Sequence, residues 1–74
     1  MLERILNIIT SYVDVPRESY NEETNIFDLG VDSLRMLKII MEIEDIYNVK
    51  FDDKEIVDIR TATDIENFIL EKIS

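Results

Sequence analysis

The chain has 74 residues, 17 acidic and 8 basic, giving a net charge of −9, and it contains no cysteine and no histidine. That charge repels nucleic-acid phosphates and favours partners with basic surfaces. The missing residues exclude disulfides, thiolate nucleophiles and Cys-based zinc sites, and remove the commonest general base and metal ligand.

Apolar residues make up 46% of the chain and charged residues 34%, the balance of a globular rather than a disordered chain. The length predicts one domain over residues 1–74, burying roughly 60% of its unfolded surface, with no room for a deep substrate cavity. No apolar run approaches the roughly 20 residues that span a bilayer, and no signal-peptide pattern is present. The sequence therefore predicts a cytoplasmic location without membrane insertion. A single glycine and a single proline leave little material for hairpins and favour helices.

In "MLERILNIITSYV", Leu2, Ile5, Leu6, Ile9 and Val13 recur three or four apart, which predicts one helical face, widened by Ile8 and Tyr12. Pro16 is expected to end that helix. The polar, aperiodic stretch 14–25, "DVPRESYNEETN", predicts a long surface loop, after which Ile26 and Phe27 return the chain to the core. A second helix is predicted from Asp32 or Ser33 to about Tyr47. Its apolar residues cover more than one stripe, as in a central helix packed by several neighbours. Asn48, which tolerates the left-handed conformation, is a natural stop. "FDDKEIVDI" predicts one short helix with Ile56, Val57 and Ile59 inward. The last helix opens at "TATD", where Thr61 and Asp64 form a capping-box-like pair, and its predicted face is Ile65, Phe68, Ile69 and Ile73. The expected fold is thus all-α: a small four-helix bundle, three main helices plus one short, with a long first loop.

Catalysis is excluded by elimination. Ser33 has no histidine partner, and Lys38, on an exposed part of the same helix, is out of its reach. Paired carboxylates on so small a bundle read as a solvated face. A calcium loop fails as well: "TNIFDL" before Gly30 lacks oxygen ligands at two needed positions, and "DDKEIVDI" has no glycine. What remains is "FDLGVDSLRMLKII" over residues 27–40. Gly30 followed by an Asp32 or Ser33 N-cap is ordinary helix punctuation. A serine in a helix's first turn also lies where free N–H groups and the positive dipole end favour an attached anion. A phosphate ester on Ser33 would be well placed there, with Gly30 allowing close approach.

"LGVDSL", set in "IFDLGVDSL" and followed by the acidic "MEIEDIYNVKF" segment, resembles the attachment signature of acyl carrier proteins, and the resemblance covers nearly the whole chain. It implies a non-enzymatic carrier with a 4′-phosphopantetheine arm on Ser33, flanked by Gly30, Asp32 and Leu34. A phosphopantetheinyl transferase using magnesium would transfer the arm from coenzyme A. The thiol missing from the sequence would then arrive with the cofactor and hold acyl or aminoacyl groups as thioesters. Loading, elongating and transferase enzymes would be the partners of a monomeric carrier, docking mainly on the second helix and the loop before it, with Arg35, Lys38, Met41, Glu42 and Ile59 as the docking residues. In fatty-acyl carriers the cargo can slip between the helices, a space that Ile39, Ile40, Met41, Ile43 and Ile59 could line here; a close-packed core is the reading favoured for most of these positions. Arg35 and Lys38 stand where fatty-acid-synthesis carriers usually have acidic residues, a departure that points to a specialised pathway such as polyketide, peptide or modified-lipid assembly. Pairing of these two cations with Asp32 or Glu42 is the plainer reading of them. An unmodified acidic helical interaction module is the alternative from a different class.

Overall fold

The computed structural model describes residues 1–73. Four α-helices follow in chain order: α1 (Leu2–Thr10), α2 (Ser33–Tyr47), α3 (Asp53–Asp58) and α4 (Ala62–Ile73), with 3₁₀ turns at Arg17–Ser19 and Ile26–Leu29 in the first connection. No strand occurs among the described residues. The expected bundle, long first loop and short third helix are all present.

One residue type dominates the core. Nine isoleucines, among them Ile5 and Ile9 of α1, Ile39, Ile40 and Ile43 of α2, and Ile65 and Ile69 of α4, form the whole set of largest fully buried side chains. Isoleucine is a mediocre helix former but stiff at χ1. Tertiary burial therefore drives these helices, and each buried side chain contributes about 1.5–3 kcal/mol.

The ends of the helices are set locally. The Asp32 carboxylate accepts from the Arg35 N–H at 2.8 Å and opens α2, and Asn48 closes it with φ 54°. Asp52 and Glu55 form a reciprocal capping box at α3. At α4 the Thr61 hydroxyl accepts from the Asp64 N–H, and the Asp64 carboxylate accepts from the Thr61 N–H, both at 3.1 Å. The ends of α2 and the start of α4 match the sequence reading, which assigned no cap to α3.

Five details differ from it. The first is where α1 ends: at Thr10, well before Pro16. The Thr10 hydroxyl donates back to the Leu6 carbonyl at 2.9 Å and meets the Tyr20 hydroxyl at 2.6 Å, and the next two N–H groups shift to acceptors three residues back, Ile8 and Ile9, tightening the last turn. The second is the 14–25 loop, which is polar but not merely superficial: Tyr20 is buried under the Arg17 guanidinium, 5.2 Å from its ring centroid. The loop is also laced to α4, whose Thr63 N–H donates to the Glu22 carbonyl at 3.2 Å.

The third concerns α2, which buries one stripe (Met36, Ile39, Ile40 and Ile43) and leaves Leu34, Leu37, Met41 and Ile46 exposed instead of being packed all round. The fourth is Val57, 66% exposed rather than inward. It sits about 100° around the helix from Ile56, and a helix of under two turns against one surface cannot bury both. The fifth is Ile73, on the stripe of Ile65 and Ile69 but 57% exposed, because it lies in the terminal turn beyond the buried part of α4.

Ile43→Ala should lower unfolding stability by about 2–5 kcal/mol, the range for large-to-small changes at a fully buried site. Val57→Ala should change it by under about 0.5 kcal/mol. Urea unfolding followed by circular dichroism measures both.

Candidate functional site

The chain enters α2 through a constrained turn. The Asn25 side chain accepts from the Phe27 N–H at 2.9 Å and starts the 3₁₀ turn, which Gly30 ends in the left-handed region at φ 86°. A Cβ on Gly30 would meet nothing within 4 Å, so the demand for glycine comes from the backbone angle and not from crowding. Val31 then drops into the core, 4% exposed, and Asp32 caps the helix. The result is fixed on both sides: Ser33, the first residue of α2, is held outward.

The Ser33 hydroxyl has no hydrogen-bond partner among the described residues. The N–H groups of Ser33 and Leu34 lie in the first turn, where the helix itself offers no acceptor. An oxyanion esterified to this oxygen would therefore sit at the positive end of α2. Beside it runs a surface groove of about 410 Å³, lined by Phe27, Ser33, Met36, Ile56, Val57 and Arg60. Arg60 is fixed at its rim, donating to the Val57 and Ile59 carbonyls at 2.6 and 3.0 Å and lying 5.7 Å from the Phe27 ring centroid. Sequence reasoning missed Arg60. Its neighbours mark only a helix connection, and nothing local places it beside a residue so far away in the chain.

Arg35 and Lys38 lie on the other flank, lining a polar groove of about 350 Å³ with Ser11, Tyr12, Val13 and Asp14. Lys38 and Ser33 thus line different grooves. Among the described residues neither cation pairs with Asp32 or Glu42 as the plainer reading expected. The Arg35 guanidinium donates to the Tyr12 carbonyl at 3.2 Å, and Glu42 accepts from the Tyr12 hydroxyl at 2.7 Å. That hydrogen bond to Glu42, then burial and the carboxylate's negative charge, raises the Tyr12 pKa above its ordinary 10.0.

Of the expected docking residues, Arg35, Lys38 and Met41 are exposed and Glu42 is half-buried. Ile59 is not a docking residue: it is fully buried, because it follows the last turn of α3 directly into the core. Met41, 55% exposed, is on the outside and cannot line an interior cargo space, whereas Ile39, Ile40, Ile43 and Ile59 are close-packed core.

Residues 3–69 match the family described as the phosphopantetheine attachment site. The chain belongs to the acyl carrier protein family. It is 33% identical over 70 residues to the acyl carrier protein of Syntrophobacter fumaroxidans, covering 93% of this chain and 86% of that protein. With the acyl carrier protein of Thermotoga maritima it shares 31% identity over 74 residues, covering 99% and 91%. A segment of non-reducing polyketide synthase AC from Didymella fabae is 32% identical over 65 residues; this covers 88% of the chain but only 2% of that synthase. The protein is accordingly a carrier of acyl groups on phosphopantetheine and not an enzyme, and carriers of this kind work with biosynthetic enzymes. The exposed, unpartnered Ser33 hydroxyl beside unbonded N–H groups fits such an arm chemically. No described helix is long and apolar enough to cross a membrane.

Gly30→Ala should destabilise the fold by about 1–2 kcal/mol, the cost of a Cβ at a left-handed angle, and thermal unfolding checks it. The Tyr12 bond adds a pH dependence. A raised folded pKa means that its contribution is complete below the ordinary value and is lost as pH rises through the raised one. The stability difference between wild type and Tyr12→Phe should therefore be constant from about pH 7 to about pH 9 and shrink at higher pH, as read by urea unfolding across that range.

Proposed function

We propose that residues 1–74 form one carrier domain and that Ser33 is its attachment residue. The observation that supports this most is the exposed Ser33 hydroxyl at the first position of α2, with no internal partner, directly after the Gly30 turn and the Asp32 cap. In the attachment step Ser33 Oγ bonds the phosphate of the 4′-phosphopantetheine arm, its proton passes to the modifying enzyme, and the nucleotide portion of coenzyme A leaves. The arm supplies a terminal thiol that holds the acyl or aminoacyl cargo as a thioester. Everything else falls to the chain's own residues: Asp32 and Gly30 fix where the ester stands, and the Phe27, Met36 and Val57 side chains give the proximal part of the arm an apolar wall.

The partners in this reading are a magnesium-dependent phosphopantetheinyl transferase and the loading, elongating and transferase enzymes of a cytoplasmic pathway, served by a monomeric carrier. Arg35 and Lys38, two exposed cations beside the attachment serine of an otherwise acidic chain, favour a specialised assembly pathway over bulk fatty acid synthesis.

Incubation with coenzyme A, magnesium and a broad-specificity phosphopantetheinyl transferase should raise the intact mass by one phosphopantetheine in wild type and leave Ser33→Ala unchanged. Absence of any gain in wild type, or an undiminished gain in Ser33→Ala, would remove Ser33 as the attachment residue. In the first case an unmodified interaction module becomes the better description.

A further inference from the structure

Although the chain carries 17 acidic residues, α2 from Ser33 to Met41 has none, and it has two cations, Arg35 and Lys38. Each of the other three helices has an acidic residue in its first turn: Glu3 in α1, Asp53 and Glu55 in α3, Asp64 in α4. In α2 that place holds Arg35. A cation is the unfavourable sign at the positive end of a helix, and a glutamate at this third position would complete a capping box with Asp32. Local stability therefore gives no reason for Arg35, whose guanidinium finds one acceptor among the described residues, the Tyr12 carbonyl.

Next to the two cations stands an exposed apolar ridge: Leu34 at 63%, Leu37 at 41% and Met41 at 55% exposure. The carboxylates nearest in sequence are partly engaged, Asp32 in its cap and Glu42 on the Tyr12 hydroxyl, while Asp14 shares the polar groove with Arg35 and Lys38. The net result on this part of α2 is an apolar ridge with a cationic flank.

Resting on the reading of Ser33 as the attachment residue, a further step follows. Any enzyme that esterifies Ser33 Oγ must cover the first turns of α2. We infer that the enzyme docking there presents carboxylates opposite Arg35 and Lys38, set around an apolar depression that receives Leu34, Leu37 and Met41. A basic docking surface, which the overall charge of −9 would favour, meets two like charges at this spot and is disfavoured in that register. The long-range attraction of the whole chain and the short-range selection at α2 thus have opposite signs.

The test is arm transfer by the phosphopantetheinyl transferase of the protein's own host, at low and high salt. The carriers compared are wild type, Arg35→Glu/Lys38→Glu, Arg35→Gln/Lys38→Gln, and Lys50→Glu as a remote control. The double Glu variant should lose at least roughly tenfold in kcat/KM at low salt, with the gap narrowing at high salt. The double Gln variant should fall between it and wild type, and Lys50→Glu should match wild type. The thermal midpoint of the double Gln variant, which adds no like-charge contact with Asp14 or Glu42, should stay close to that of wild type, so that loss of transfer without loss of stability separates docking from folding. Equal or faster transfer to the double Glu variant, or to the double Gln variant, overturns the docking inference while leaving Ser33 in place. No transfer to wild type overturns the assignment of Ser33 and the docking surface with it.

Discussion

The arrangement depends on one seam, the burial of Met36, Ile39, Ile40 and Ile43 along a single stripe of α2. With each such side chain contributing about 1.5–3 kcal/mol, the stripe fixes the rotation of α2 about its axis. Once that rotation is fixed, the positions between the buried ones have no freedom left. Leu34, Leu37 and Met41, spaced three and four apart, form one outward ridge, and Ser33 opens the helix above it. A helix packed on all sides would bury more apolar surface but have nothing to present.

Around this seam the polar interactions work as fasteners rather than as sources of stability. The Lys72 ammonium lies 2.8 Å from the Glu55 carboxylate, and 5.4 Å from the Phe51 ring centroid. Glu55 also closes the α3 capping box, so one carboxylate both sets the start of α3 and ties it to α4. Both partners are part-exposed, at 23% and 19%, and such a pair contributes about 0–1 kcal/mol once screened. α3 buries no side chain within its own span; the flanking Phe51 and Ile59 hold it to the core. The wall of the groove formed by Ile56 and Val57 is therefore held mainly from its two ends.

The sequence carried what local chemistry dictates. Asp32, Asn48, Thr61 and Asp64 act through hydrogen bonds or backbone angles within a few residues, so α2 and α4 were legible almost to the residue. The end of α1 was not, because Thr10 answers to Tyr20 across the loop and not only to its own helix. Val57 and Ile73 were misassigned to the core, and Ile59, read as inward from its spacing, was also counted as a docking residue although it is fully buried. Periodicity gives a face but not what lies opposite it. Ser33, Gly30 and Asp32 were readable as one helix start, and so as a candidate site, because their chemistry is contiguous. Arg60 and the Tyr12–Glu42 bond join residues 27–33 apart from the site or from each other, which only the folded chain reveals.

The claim beneath all of this is that α2 is locked in a rotation that displays Ser33 for esterification. The most direct measurement is tandem mass spectrometry of the protein purified from its own host, with the modification localised on the peptide spanning Gly30 to Met36. The account predicts a phosphopantetheine ester on Ser33. An arm borne by another residue, or a Ser33 peptide that is uniformly unmodified in cells making the protein's products, would contradict it.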